Sequence, residues 1–376
     1  MALNKIRSFS FILILATIIP TLLIWFAFYF NLPRHLGFPS TTLETIYANY
    51  DGPNYMIIAK CGYDKDCIRQ SYSLPIPLEY YPAHFPGFPI VIKYFSFFVN
   101  TPKAMLLATL FGSLLLTLVS FRFFKLFLNP QKSFWLALIF IFFPARLFAT
   151  RLVGAPETWF ISLILLSIIF FRKKSFFVSA IFAALAQAFK SPGILLFVAY
   201  GLIFLVDYFK TKKFNYHYLY YLLVPLTVLV IFYVYYLQTG DFLAYFHSGD
   251  NIHLFLLPYS VFISNRSWIN TIWLEDVLYL ILLGLIGVSK LYRRYKFNLV
   301  FLFPAIFLLA TIFVAHRDIS RYISPIYPFI LVAFSRYLTK KPIRYLFLIL
   351  FPAIILYSLN FLIGNTAPLS NWAPYL

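Results

Sequence analysis

Hydrophobic and polar positions along this chain do not alternate; they gather into long apolar runs parted by short polar stretches. The first is "FILILATIIPTLLIWFAFYF" at 11–30. A helix of about twenty apolar residues crosses a hydrocarbon core of about 30 Å. Runs at 9–30, 104–121, 134–149, 157–171, 175–189, 192–209, 218–237, 271–289, 298–315, 323–338 and 345–363 predict about eleven such spans. Continuous apolarity excludes the alternating strands of a membrane β-barrel. The predicted fold is all-α, a polytopic transmembrane helix bundle. The whole of 1–376 reads as one integral membrane domain without a clear internal repeat.

The polar stretches orient the bundle. Basic residues cluster at Lys5 and Arg7, at Arg122, Lys125 and Lys132, and in "RKK" at 172–174, "KTKK" at 210–213, "KLYRRYK" at 290–296 and "RYLTKKPIR" at 336–344. Short basic loops stay on the cytoplasmic side. An even number of crossings between clusters then puts the N-terminus inside and the C-terminus outside. The opening "MALNKIRS" leads into an apolar run too long for a signal peptide and lacking a small-residue cleavage site, so an uncleaved first helix is expected. Two longer loops fall outside, at 31–103 and 238–270. Within the first, "HFPGFPIVIKYFSFFVN" at 84–100 is broken by Pro86 and Pro89 and carries Lys93. It reads as an interfacial or re-entrant helix on the outer side.

Composition agrees with a membrane chain: 62% of residues are hydrophobic and only 11% charged, against about 25% charged in soluble domains. The formal charge of +19 would suggest nucleic acid, but most Lys and Arg sit in the topological clusters, so no nucleic-acid partner is expected. Abundant Lys, Ile, Phe and Tyr suggest an AT-rich bacterial or archaeal genome, hence a plasma membrane; a eukaryotic chain would sit in the endoplasmic reticulum. The only cysteines, Cys61 and Cys67, share the first outer loop as a small disulfide or as two free thiols.

With that topology, the polar residues unused as orientation signals collect on the outer face. "AHRDISRYISPIYPF" at 315–329 holds His316, Arg317 and Arg321 where the positive-inside rule disfavours them. Arg317 and Arg321, four apart, share a face in a helical turn, and arginine forks bind phosphate oxygens. The plainer alternative is snorkelling, with Asp318 neutralising one arginine. In "YDGPNY", Gly52 and Pro53 force a turn after Asp51 and hold its carboxylate on a defined loop, as a general base or as a turn former. "EYYPAHFPGFP" at 79–89 is either an interfacial anchor or a pocket wall with His84 facing inward. Tyr55 and Arg151 are further pocket candidates. Glu157 follows Pro156 at a helix start, where the helix dipole alone can explain an acid. Lys190 in "AFKSPGIL" is a snorkelling anchor or a phosphate contact. His247, Asp250 and His253 have no diagnostic metal spacing, and HExxH, paired CxxC, Walker A and GxGxxG motifs are missing.

Taken in order, "YDGPNYMIIAKCGY", "YYPAHFPGFPIVIKYFS", "PETWFISLILL", "AFKSPGILLF", "QTGDFLAYF" and "HRDISRYISPIYPFIL" resemble the GT-C class of membrane glycosyltransferases, most closely the GPI mannosyltransferase 2 (PIG-V type) branch. The resemblance covers most of the chain and rests on the order of short motifs. It implies a GT-C-like bundle and inverting transfer from a polyprenyl-phosphate-linked sugar, usually mannose on dolichyl or undecaprenyl phosphate. The acceptor would be a lipid or glycan on the extracytoplasmic face. Asp51 maps onto the family's acid near the reacting hydroxyl. Arg317, Arg321, His316 and Lys190 would hold the donor phosphate, and Tyr55, His84, Glu157 and Arg151 would line the acceptor pocket. The sequence departs from the family pattern at Tyr50, where a tryptophan often stands, and at Lys190, where an arginine is expected. No nucleotide is required, and a divalent cation is the one soluble cofactor left open. A glycan ligase or polymerase using a lipid diphosphate, or a flippase, is the alternative.

Overall fold

The structure, a computed structural model, describes residues 2–249, 253–263, 265, 274–369 and 371–376. Among them it is all-helical, with no strand and only two isolated β-bridges. Helix α1 (Ala2–Tyr29) leads into a long loop over 30–100. That loop carries four short helices: α2 (Leu43–Tyr47), α3 (Gly52–Cys61), α4 (Lys65–Ser71) and α5 (Gly87–Ser96). Then come α6 (Thr101–Phe124), α7 (Pro130–Phe142), α8 (Ala145–Thr150), α9 (Glu157–Arg172), α10 (Phe176–Phe189), α11 (Ile194–Thr211) and α12 (Leu223–Thr239). Further along the chain follow α13 (Glu275–Tyr295), α14 (Leu299–Ile312), α15 (Ile319–Tyr322), α16 (Tyr327–Leu338) and α17 (Lys341–Gly364).

The apolar runs read from the sequence overlap helices, although 271–273 of the run at 271–289 lie outside the described residues. Five helical segments are long and apolar enough to cross a membrane: Ile6–Tyr29, Thr101–Phe124, Ser191–Thr211, Tyr216–Thr239 and Lys341–Gly364. Shorter apolar helices accompany them at Pro130–Phe142, Phe176–Phe189 and Leu299–Ile312. The run at 134–149 is not one helix. Pro144 has no N–H to donate and disfavours helical backbone before it, and Phe143 is extended (φ −136°, ψ 134°). The chain therefore stops at Phe142 and restarts as α8 in a new direction. Helix α5 has ten residues and is about 15 Å long, half a bilayer core, so it cannot cross by itself. Its exposed Ile90 and Tyr94, with Phe97 and Phe98 just beyond, suit an interfacial position.

Helix α9 sits centrally, packed on α6 and α10. The contact with α6 is close because Gly112 meets the start of α9, where an added Cβ would lie 2.5 Å from Thr158 Oγ1. Ser113 and Thr117 are fully buried yet bonded: Ser113 Oγ donates to the Arg151 carbonyl, and Thr117 Oγ1 donates to the Ser113 carbonyl. Inside a membrane every polar atom needs such an internal partner, and small residues let backbones approach. Cys61 and Cys67 are joined in a disulfide that ties the end of α3 to α4. The C-terminal segment folds back over this loop. Tyr50 N–H donates to the Asn365 carbonyl, Ala367 N–H to the Ala48 carbonyl, and Lys60 Nζ to the Pro374 carbonyl.

Candidate functional site

Asp51 stands just ahead of α3, and a close glycine contact holds it there. A Cβ on Gly52 would lie 2.7 Å from the Tyr47 carbonyl oxygen; one on Gly154 would lie 2.2 Å from Met105 Sδ and 3.0 Å from Gly52 Cα. The start of α3 is thus pressed into the turn before α9. Tyr50 adopts a left-handed backbone (φ 50°), an uncommon state for an aromatic residue that the packing sustains next to a candidate acid. Asp51 occupies the N-cap position of α3 but makes no side-chain capping bond. Its carboxylate is not consumed in forming the turn.

It faces instead a cavity of about 1240 Å³. His84 Nε2 lies 3.6 Å from Asp51 Oδ1, and Arg321 Nη2 lies 3.6 Å from Asp51 Oδ2. The Arg321 Nε is 3.4 Å from Glu157 Oε1, which also receives Lys190 Nζ at 2.7 Å. Asp318 completes the network, 3.8 Å from Arg321 and 3.0 Å from Arg146. Tyr55 packs edge-on against His84. Arg321 also lies over the Tyr50 ring, 4.6 Å from its centre. Six chain segments far apart in sequence therefore meet in one network, with the Arg321 guanidinium between Asp51, Glu157 and Asp318.

Electrostatics follow from that geometry. Burial alone would raise the Asp51 carboxyl, but His84, Arg321 and Lys190 outweigh it and hold the group below its ordinary value. Burial also opposes the charge on Arg321, and Glu157 and Asp51 more than restore it. His316 is pushed down to about 3 by burial and by the nearby His253 and Arg321, so it stays neutral. Its Nδ1 accepts the Asp318 N–H, which leaves the proton on Nε2, a neutral donor rather than a cation.

Seven cavity-lining residues hold a buried polar atom that makes no hydrogen bond within the described protein: Tyr50, His84, Arg146, Glu157, Gln187, Arg321 and Ser324. Only six other residues do so in the described chain. Such atoms are costly when left alone, so their concentration marks a place shaped for a polar ligand. The opposite wall is apolar. Pro225, Val228, Leu229 and Phe232 of α12 line it, together with Phe307 and Ala310 of α14. Pro225 and Leu229 also border a second groove on the outside of α12, beside Phe177, Leu219 and Leu226.

Of the residues singled out in the sequence, Asp51, Tyr55, His84, Glu157, Lys190, His316, Arg317 and Arg321 all line this cavity. Arg151 does not, which corrects its assignment to the pocket. Its side chain turns back into the bundle and donates to the carbonyls of Ser113 and Phe140 and to Thr117 Oγ1. Three oxygens bond its Nη1 and Nη2 and the Phe140 ring lies beneath it, at 1% exposure, while its Nε makes no hydrogen bond within the described protein. His247 pairs with Asp241 at 2.6 Å on the surface, whereas His253 sits by His316 in the cavity, and Asp250 lies outside the described residues. No group of three His, Cys, Asp or Glu able to hold a metal occurs among the described residues. Sequence reading missed Arg146, Gln187 and Asn360, each a lone polar residue inside or beside an apolar run. An intramembrane charge or amide was the signal available. Compared with protein-family models and with curated proteins, the sequence finds no match.

Proposed function

We propose that this chain is a polyprenyl-phosphate-sugar-dependent glycosyltransferase of GT-C type, a hexosyltransferase and most specifically a mannosyltransferase. It would transfer to a lipid or glycan acceptor on the extracytoplasmic face. The observation that carries the reading is the cavity itself, with an ionised Asp51 beside Arg321 at one end and an apolar wall along α12 at the other. A lipid-linked sugar needs both halves. The groove shared through Pro225 and Leu229 offers the polyprenyl tail a path from the bilayer. In this reading the chain crosses the membrane about eleven times, with its N-terminus cytoplasmic.

In the reaction, Asp51 takes the proton from the acceptor hydroxyl as that oxygen attacks the anomeric carbon. The bond from the anomeric carbon to the phosphate oxygen breaks with inversion, and the polyprenyl phosphate leaves with the electron pair. Arg317 and Arg321, with Lys190 and the Nε2–H of His316, stabilise the charge growing on that phosphate. A carboxyl held low is a weak base at rest. A phosphate drawing on Arg321 loosens that guanidinium's hold on Asp51 and raises its basicity when the donor is bound.

Charge balance favours a monophosphate donor over a diphosphate. Histidines aside, the cavity holds Arg146, Lys190, Arg317 and Arg321 against Asp51, Glu157 and Asp318, leaving one positive charge. Of these four cations, Arg317 is the one in no ion pair among the described residues. One phosphodiester charge matches it; a lipid diphosphate, as a ligase or polymerase would use, brings an excess anion into a low-dielectric site. Surface-level rather than midplane charge also argues against a flippase. Membranes containing the protein, given labelled polyprenyl-phosphate mannose or the corresponding diphosphate sugar, test this directly. Transfer from the monophosphate supports the reading; transfer from the diphosphate alone overturns it.

A further inference from the structure

One wall of the cavity has no part in the chemistry described above. Residues Tyr357, Asn360, Phe361 and Gly364 recur at the spacing of a single helix face and turn one stripe of α17 toward the cavity. Arg146 of α8 lies against that stripe, its guanidinium 3.8 Å from the centre of Phe361 and 5.6 Å from that of Tyr357. It reaches this position because Pro144 breaks the preceding helix. Its Nε meets Asp318 Oδ1 and Ser320 Oγ, while its Nη1 is buried and makes no hydrogen bond among the described residues.

Asn360 is the second unspent group. It is exposed to the cavity, makes no hydrogen bond among the described residues, and stands in an otherwise apolar stretch of α17, about 6 Å from its outer end. An amide at that place gains nothing from folding. An amide in a membrane helix ordinarily bonds to a neighbouring helix, and this one faces the cavity instead, where a ligand can take its hydrogen bonds.

We propose that this wall, built on Arg146 and Asn360, is the subsite for a neutral, polyhydroxylated acceptor, a saccharide unit without phosphate. The inference rests on the transferase reading of the cavity and adds the acceptor's chemical class. The unspent Nη1–H and the Asn360 amide donate to hydroxyl oxygens, and the amide oxygen accepts from a hydroxyl. Charge decides between a sugar and an anion. The charge on Arg146 is already matched by Asp318 at 3.0 Å, and the cavity's single surplus cation goes to the donor phosphate, so a second anion at this wall has no counter-charge.

The test is direct binding of small probes, independent of turnover. The full chain in lipid nanodiscs is titrated with methyl α-mannoside, methyl α-glucoside, methyl α-galactoside and mannose 6-phosphate, read by saturation-transfer difference NMR. The expected result is that at least one neutral methyl glycoside binds and that mannose 6-phosphate binds no better. Asn360→Ala weakens that binding about tenfold, the loss of one hydrogen bond, and Arg146→Lys does the same. Asn360→Ala removes an exposed side chain with no bonds, so folding is not at risk. In transfer assays the same variants raise the acceptor KM and leave the donor KM unchanged. The proposal is overturned if no glycoside binds the wild type, if both variants bind as the wild type does, or if the phosphorylated sugar binds more tightly in an Arg146-dependent way. Failure of the transferase reading looks different: Asn360-dependent glycoside binding persists, but no polyprenyl phosphosugar donates.

Discussion

Arg321 Nη2 lies 3.6 Å from Asp51 Oδ2, so the turn before α16 and the segment leading into α3 are joined through one ion pair. The same guanidinium reaches Glu157 and Asp318. The planar guanidinium spreads its charge over separate nitrogens, Nη2 toward Asp51 and Nε toward Glu157 and Asp318. Arg321→Lys keeps the charge but not the fork. It is expected to lower kcat about 10²–10³-fold, the usual cost of losing one preorganised electrostatic contact. Steady-state transfer at equal protein level measures this, and wild-type rates in Arg321→Lys would remove the fork from the mechanism.

Lys190 and Glu157 form the tightest ion pair in the cavity, at 2.7 Å with side chains 19% and 2% exposed. Removing Lys190 takes away the close partner of a buried carboxylate and leaves it Arg321 alone, at 3.4 Å. Lys190→Met is therefore expected to destabilise the protein by about 1–3 kcal/mol, the cost of losing one partner of a buried polar group. Adding Glu157→Leu recovers a large part of that loss while activity stays absent. Thermal unfolding of the single and double variants decides the matter. A double variant no more stable than Lys190→Met would show that the pair is not coupled.

The pH dependence of stability and that of activity separate. Asp51 is held below its ordinary value of 3.8, so the stability it contributes is present above that value and fades only as pH falls further. His316 behaves oppositely. Its value falls from 6.5 to about 3, so below pH 6.5 the unfolded chain takes up a proton that the folded protein refuses. Stability is then expected to drop by about 1–2 kcal/mol between pH 7 and pH 5. His316→Gln flattens that slope. Neither group gives the transfer rate an acid limb between pH 5 and 8. A limb in that range which shifts in Asp51→Glu would contradict the assignment.

Gly52→Ala tests the packing that aims the acid. The added methyl meets the Tyr47 carbonyl oxygen at 2.7 Å and Met105 at 3.3 Å, so the loop must move. Displacements of about 1 Å can cost 10²-fold in rate. The variant should fold and retain the Cys61–Cys67 disulfide yet transfer about a hundredfold more slowly. By contrast Arg151→Met, which removes the side-chain donor to the Phe140 carbonyl and one of the partners of Ser113 and Thr117, should lower thermal stability without changing acceptor KM.

Much of this architecture is written in local chemistry. Apolar runs located every long helix because a membrane core tolerates little else, and eight of nine site candidates proved to face one cavity. The exception is instructive. Arg151 and Arg146 are both single arginines near a helix break, and sequence alone did not say which turns outward. That choice depends on acceptors from elsewhere in the bundle, three oxygens of α6 and α7 for Arg151 and Asp318 for Arg146. The neutrality of His316 was equally hidden, because it comes from burial and from His253, contributed by a distant loop. Helix number by periodicity also outran what length supports, since Pro144 divides one run and several helices are short.

The central claim is that Asp51 accepts the proton in sugar transfer from a polyprenyl phosphate. Its most direct test is transfer of labelled mannose from polyprenyl-phosphate mannose in membranes carrying wild type or Asp51→Asn at equal protein level. The amide preserves shape and removes the base, so the account predicts wild-type transfer and a loss of about 10²–10⁴-fold in the variant. Equal transfer by both proteins would contradict it.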